Sequence, residues 1–333
     1  MLSRHFLRAK VLQAFYAAKT TGDDVTRASG LFEAQVRRLN ELAVWQVSTL
    51  PAMLVAARQV IEDGMTKFRP TEEELHPSMR FVENQFLTRL ADNYELRRQM
   101  EKYHVEWDDA DRFKRLFVVF KSSKVYADYI AEAQATFESD KALALVLFKF
   151  LMNDDLLRDV FYERGILWED DFDQIAQYMF MTLRAFDDTF SEATEFPLMS
   201  DSRNEGDMEA YNFALQLLVD AMGEYDGNIE LVKSHLNGWD FERVAVMDVL
   251  LLVLAITELT NCPSIPERVT IDEYIELSKE FSTERSKLFI NGILDRLVTE
   301  LRAAGRIEKN GRGLFNPDMV DDFWSEENGR YVQ

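Results

Sequence analysis

IPERVTIDEYIELSKEFSTERSKLFINGILDRL, residues 265–297, decides how this chain is read. Apolar residues recur at three- and four-residue spacing on both sides of the polar turn at 282–284, which predicts two helices joined by that turn. Thr270 followed by Glu273 has the form of a capping box, so the first helix is expected to begin at Ile271. Ser282 or Thr283 is placed to cap the second, with Glu284 in its first turn. On that second helix Ile290, Ile293, Leu294, Leu297 and Leu301 follow the spacing of a buried stripe. At about 100° per residue, Lys287, Asn291, Val298 and Arg302 share an adjoining face. Gly292 points away from both, where a missing side chain leaves room for another backbone. Asn291 can therefore hydrogen-bond beside Lys287, either to RNA or to the end of a neighbouring helix.

Working outward, the same periodicity runs through 31–60, 113–130, 143–157, 175–186, 211–222 and 244–259. No sustained alternation marks a sheet, so the predicted fold class is all-α. Breaks are expected at 20–24, 68–77, 195–207 and 261–266, where Pro, Gly and small polar residues gather. Three stretches, 93–109, 153–171 and 228–242, each run from an Asn through an acid and Leu to a Trp followed by Asp or Glu. They read as a repeated helical unit in which Trp107, Trp168 and Trp239 plug a corner, the acid behind each favouring the positive start of the next helix.

With 333 residues, 47% of them hydrophobic, the chain can bury a sizeable core. The longest unbroken apolar run, 249–256, is far shorter than the roughly 20 residues that cross a bilayer, so no membrane partner is expected. The opening MLSRHFLRAK lacks an apolar signal core, and Cys262 is the single cysteine, which favours a cytoplasmic protein. A net charge of −21 argues against nucleic acid, but its distribution does not. Residues 1–19 carry four basic side chains and no acid, 265–313 carry nine of each sign, and 20–264 carry 24 basic against 45 acidic. That pattern suits a polyanion near the termini and a basic protein partner elsewhere, or simply a solvated acidic surface.

Enzyme chemistry finds little support. Neither a G-x-G-x-x-G nor a Walker loop occurs, one Cys rules out Cys-rich zinc sites, and no cofactor is implied. Two E-x-x-H spacings, Glu73 to His76 and Glu101 to His104, have the form of di-iron ligands. Pro77 disfavours a helix through His76, and His104 stands at a helix end, so neither pair suits that role.

The segment 265–297 resembles the C-terminal signature of the NusB family of transcription antitermination factors, roughly I-P-x-x-V-x-I-N-E-x-I-E-L-A-K-x-F and then S-x-x-F-V-N-G-V-L. Asp272 stands for the usual Asn, Ser278 for Ala, and Ile290 and Ile293 for Val. WDFERVAVMDVLLLVLAITEL, 239–259, looks like the family's W-x-x-E-R stretch and core helix, and RHFLRAKVLQAFYA, 4–17, like its Arg-rich first helix. The resemblance implies packed three-helix units, no enzymatic activity, and partners comprising boxA-like single-stranded RNA, the ribosomal protein that doubles as NusE, and the RNA polymerase elongation complex on ribosomal RNA operons. It divides the chain into a first helix (1–20), a helical insertion (21–205), the remainder of the NusB-like domain (206–305) and a tail (306–333). Arg4 and Arg8, one turn apart, are expected to face RNA together with Ser286, Lys287, Phe289 and Asn291. Glu258 and Glu273 are expected to face the basic protein partner, and Gln13 and Tyr16 to pack. A second reading is an acidic helical scaffold that holds ribosomal or transcription proteins without RNA.

Overall fold

The structure is a computed structural model and describes residues 4–198, 205–236 and 240–314. Among the described residues the regular structure is helical throughout, with no strand, as the apolar periodicity predicts. In chain order the helices are α1 (Arg4–Thr21), α2 (Val25–Met65), α3 (Glu72–Leu75), α4 (Gln85–Asp92), α5 (Tyr94–Lys102), α6 (Ala110–Lys121), α7 (Lys124–Ala131), α8 (Phe137–Met152), α9 (Asp155–Arg164), α10 (Phe172–Ala185), α11 (Glu205–Gly223), α12 (Tyr225–Ser234), α13 (Val246–Asn261), α14 (Glu267–Phe281) and α15 (Ser286–Ala303). Two compact units emerge: the described part of Val36–Asn204, and that of Leu2–Gln35 with Glu205–Gln333. The second unit thus reaches past the sequence break at 20–24 into α2, where Phe32 lies 5.6 Å from Tyr211, ring to ring.

The first unit is held by clustered aromatic rings. Trp107 donates its indole N–H to Ser48 Oγ at 2.9 Å and stands edge-on to Trp45, Phe113 and Phe161. Edge-to-face rings gain from opposed quadrupoles beyond the area they bury. Two residues on, Asp109 accepts the Arg112 N–H and caps α6, so this corner works as the repeat suggests. Trp168 is buried beside Phe161 in a short 3-10 turn ahead of α10. Trp239 lies outside the described residues. His76 ends the four-residue α3 and His104 sits beyond α5 with φ +50°, so neither E-x-x-H pair shares a helix. Among the described residues no group of three or more His, Cys, Asp or Glu is placed to hold a metal. Nor, among them, is any helix long and apolar enough to cross a membrane.

The second unit is organised around α13. Its run VLLLVLAITEL, 249–259, is apolar on every side of the helix, and such a helix is stable only when covered all round. Accordingly α1, α11, α12, α14 and α15 all pack against it, and each residue from Val249 to Leu259 is buried. Burying each Leu, Ile or Val there contributes roughly 1.5–3 kcal/mol.

Two expected helix starts move. α14 begins at Glu267, with Pro266 at its N-cap, and Thr270 is a fully buried residue within the first turns instead of a cap. The reason lies opposite: the Thr270 hydroxyl donates to the buried Glu258 carboxylate at 2.9 Å, a stronger claim than a backbone amide. α15 begins at Ser286, and neither Ser282 nor Thr283 gives it a side-chain cap. Instead the Thr283 hydroxyl donates to the Ser286 hydroxyl at 2.8 Å, and Ser282 turns its own proton to Asp248. Past α15, Gly305 takes φ +67° and lets the Arg306 N–H reach the Leu301 carbonyl, which closes the helix. A 3-10 turn, Gly311–Leu314, then returns to the loop after α13. Asn310 N–H donates to the Pro263 carbonyl at 2.9 Å, and a Cβ on Gly313 would stand 2.0 Å from that same oxygen.

Candidate nucleic-acid interface

α1 brings its basic side chains to two different depths. Arg8 has 2% exposure and forks onto Glu258, donating from Nε and Nη2 at 2.7 Å each, while Glu258 is fully buried. The carboxylate also accepts the hydroxyls of Thr270 and Tyr274, at 2.9 and 3.2 Å. Burial alone disfavours the Arg8 charge, but its bonds to Glu258 outweigh that and make the guanidinium harder to deprotonate. Burial likewise pushes the Tyr274 hydroxyl well above its ordinary range, so it stays a neutral donor.

The expectation that Arg8 contacts RNA and Glu258 a protein partner is therefore corrected: both are sealed inside, each satisfying the other. An isolated ion of either kind in that setting costs several kcal/mol. Ser286, also expected at the RNA surface, has 2% exposure and donates to the buried Asp248 at 2.9 Å. The Ser282 hydroxyl donates to that carboxylate too, at 2.6 Å, so Asp248 ties the α14–α15 turn to α13.

The remaining expected residues reach the surface. Arg4 stacks over Phe213 at 5.3 Å and pairs with Glu209 at 2.6 Å on the rim. Lys287 is exposed, while Phe289 and Asn291 are half-buried. Glu273 is half-buried and turned towards α1, accepting from His5 Nδ1 at 2.8 Å and lying 3.4 Å from Arg8 Nη1. Gln13 is half-buried and accepts from Lys10, whereas Tyr16, read as a packing residue, is 41% exposed.

Of these, Arg4 and Glu273 line one depression beside α14 and Asn291 another, with Leu314 bordering both. A groove of about 820 Å³ is bounded by Arg4, Arg8, Ile265, Val269, Arg312 and Leu314 among others. A cleft of about 540 Å³ includes Asn291, with Arg268, Arg302 and Lys309 facing Glu267, Asp272 and Asp295. The cleft is charge-balanced: Arg302 pairs with Glu267, Arg268 with Asp272, and the Asn291 amide points to Asp295 at 3.4 Å. At the groove Arg8 is neutralised by Glu258 and Arg4 by Glu209, and Arg312 stands with the carboxylate of Glu273. Thus Arg8 is buried and Asn291 lines the other depression, so the two side chains do not share one site. Gly292 is exposed, and among the described residues nothing lies within 4 Å of a Cβ there, so none of their backbone uses the room it leaves.

Sequence reasoning missed the buried Arg8–Glu258 and Asp248–Ser282–Ser286 networks. A signal for the first was present, since Glu258 interrupts an otherwise apolar run and Arg8 follows Phe6 and Leu7 and precedes Val11 and Leu12. A charge so surrounded is buried with its partner or not at all.

The fold and this interior thus define an all-helical protein with an apolar central helix, a buried Arg–Glu fork beside it, and basic groups left at the rim. The family model described as NusB family matches residues 175–299, beginning inside α10. Over 116 residues the chain is 34% identical to the transcription antitermination protein NusB of Salinibacter ruber, a match covering 35% of this chain and 72% of that protein. Over 102 residues it is 35% identical to the protein of the same name from Myxococcus xanthus, covering 31% of this chain and 73% of that one. With the Chloroherpeton thalassium protein, also so named, identity is 32% over 108 residues, 32% of this chain and 51% of the relative. No solved structure matches the chain. The chain belongs to the NusB family.

Proposed function

We propose that this chain is an RNA-binding transcription antitermination factor which, with the ribosomal protein NusE, binds boxA-like single-stranded RNA and modifies RNA polymerase elongation on ribosomal RNA operons. It acts by binding and not by catalysis. The observation that carries this reading is the match to proteins named for antitermination, together with the NusB family match, which takes in α13, α14 and all but the last few residues of α15. In this reading the insertion 21–205 is carried between the first helix and the remainder, 206–305, with 306–333 as tail.

The RNA-facing set narrows to the residues that reach the surface: Arg4, Lys287, Phe289 and Asn291. Arg4 supplies a phosphate contact, which gives affinity without sequence preference. Preference comes from unstacked bases, for which Phe289 offers a ring face and Asn291 an amide. Glu273 is the carboxylate left for a basic protein partner.

A gel shift with a boxA-like single strand, with and without NusE, tests the reading. A shifted band strengthened by NusE is expected, and no shift in either case overturns it.

A further inference from the structure

We propose that the pocket bordered by α2, α3, α6 and α7, within the first unit, is a binding site for a small uncharged aromatic molecule that carries a hydrogen-bond acceptor. Its lining residues all precede the NusB match at 175–299, so the site goes beyond the RNA-binding reading and stands apart from it.

Shape gives the body of the ligand. The pocket holds about 540 Å³, inside the roughly 300–1,000 Å³ that small-molecule sites span. Val60 and Ile61 of α2, Phe117 and Val118 of α6, and Tyr126 and Ile130 of α7 give it apolar walls. The buried rings of Phe117 and Tyr126 stand edge to face, 6.0 Å apart, in a cluster that also takes in Phe81 and Phe120. Walls of fixed rings favour a planar, ring-bearing occupant.

Tyr126 supplies the polar handle. It has 6% exposure, yet its hydroxyl finds no hydrogen-bond partner among the described residues. Burial first, and then the charge of Glu73 on the same pocket, push that hydroxyl up to about 12, so it keeps its proton at neutral pH. A buried donor left unmatched is unfavourable, and an acceptor carried in by a ligand relieves it. In the smaller depression beside Pro51, about 290 Å³, the corresponding donor is spent: the Trp107 N–H goes to Ser48, whose own proton goes to the Trp45 carbonyl.

Charge and entry complete the assignment. Around the pocket Lys67 is paired with Glu74, and Lys121 with Glu73 at 2.9 Å, so the wall's lysines and glutamates neutralise one another and a charged ligand gains nothing from them. Both glutamates belong to α3, which buries none of its own side chains. Largely exposed ion pairs hold weakly, so this wall can swing aside to admit a ligand.

The test uses three probes of one ring size on the full-length chain with carbon-13-labelled isoleucine methyls: benzamide, which has an acceptor, toluene, which has none, and benzoate, which is charged. Saturable shifts of the Ile61 and Ile130 methyl signals are expected with benzamide and toluene, and at least tenfold weaker binding with benzoate. Tyr126→Phe keeps the ring and strands no partner, so the thermal transition and toluene affinity stay unchanged while benzamide binding weakens by about fivefold. Val118→Trp, at a position 51% exposed, fills the mouth without disturbing the core and abolishes binding of both neutral probes. No saturable shift with benzamide, or shifts that survive Val118→Trp, overturn the site. Benzamide binding unaltered by Tyr126→Phe overturns the role of the hydroxyl, and benzoate binding as tightly as benzamide overturns the uncharged class.

Discussion

Arg8 of α1 and Glu258 of α13, 250 positions apart in sequence, meet as a buried two-pronged ion pair with both bonds at 2.7 Å. The pair staples the first helix to the central one, and Thr270 and Tyr274 extend it to α14. Arg8→Ala leaves Glu258 charged and buried without its main partner, so a stability loss of about 3–5 kcal/mol is expected. Thermal or urea unfolding monitored by circular dichroism measures it. An unchanged transition would place Arg8 at the surface after all.

His5 links α1 to α14 by bonding Glu273 at 2.8 Å and Glu280 at 3.0 Å. Burial opposes its protonation, but hydrogen bonds to Glu280 and Glu273 prevail and raise its pKa above the ordinary 6.5. A raised folded-state pKa stabilises fully below the unfolded value, and that contribution fades as pH rises through the folded value. The stability difference between the native chain and His5→Gln is therefore expected to be largest near pH 6 and to shrink towards pH 9. A difference that grows with pH contradicts the pairing. NMR titration of the ring gives the folded value directly.

The all-α class and the burial of α13 were legible because an unbroken apolar run states its own environment: no face is left for water. The Trp107 corner was legible for a similar reason, since a large ring followed by a helix-capping acid fits few places. Depth was not legible for Arg8. One-turn spacing puts Arg4 and Arg8 on the same side of α1, but it does not say how far from the surface either lies. Arg4 keeps 37% side-chain exposure and Arg8 only 2%, because α13 presents Glu258 to the second and not to the first. Likewise Thr270 and Glu273 carry a capping-box spacing, yet buried Glu258 and His5 claim them, and such tertiary partners are invisible in a local pattern.

Gly292 gives a prediction of the opposite sign. It lies within α15, exposed, and a Cβ there meets nothing among the described residues. Glycine in a helix interior costs roughly 0.5–1 kcal/mol relative to alanine. Gly292→Ala is thus expected to stabilise the chain by about that amount, read as a shift in the urea midpoint at unchanged slope. Destabilisation would mean that something does approach this face.

Lys287 and Asn291 separate binding from folding. Lys287 is exposed, and among the described residues the Asn291 side chain makes a long, exposed contact to Asp295 at 3.4 Å, so removing either side chain strands no buried partner there. Substitutions of this kind change stability by about 0.5 kcal/mol or less. Their effects on RNA should differ in kind. Lys287→Ala removes a positive charge, so affinity falls across all single strands and the slope of log affinity against log salt flattens by about 0.7. Asn291→Ala removes hydrogen-bonding groups without charge, so the salt slope is kept while preference for the boxA-like sequence over a scrambled strand declines. Anisotropy titrations at several salt concentrations with both RNAs resolve the two. Loss of affinity in Asn291→Ala equal for both strands would assign it to packing against Asp295 and not to base recognition.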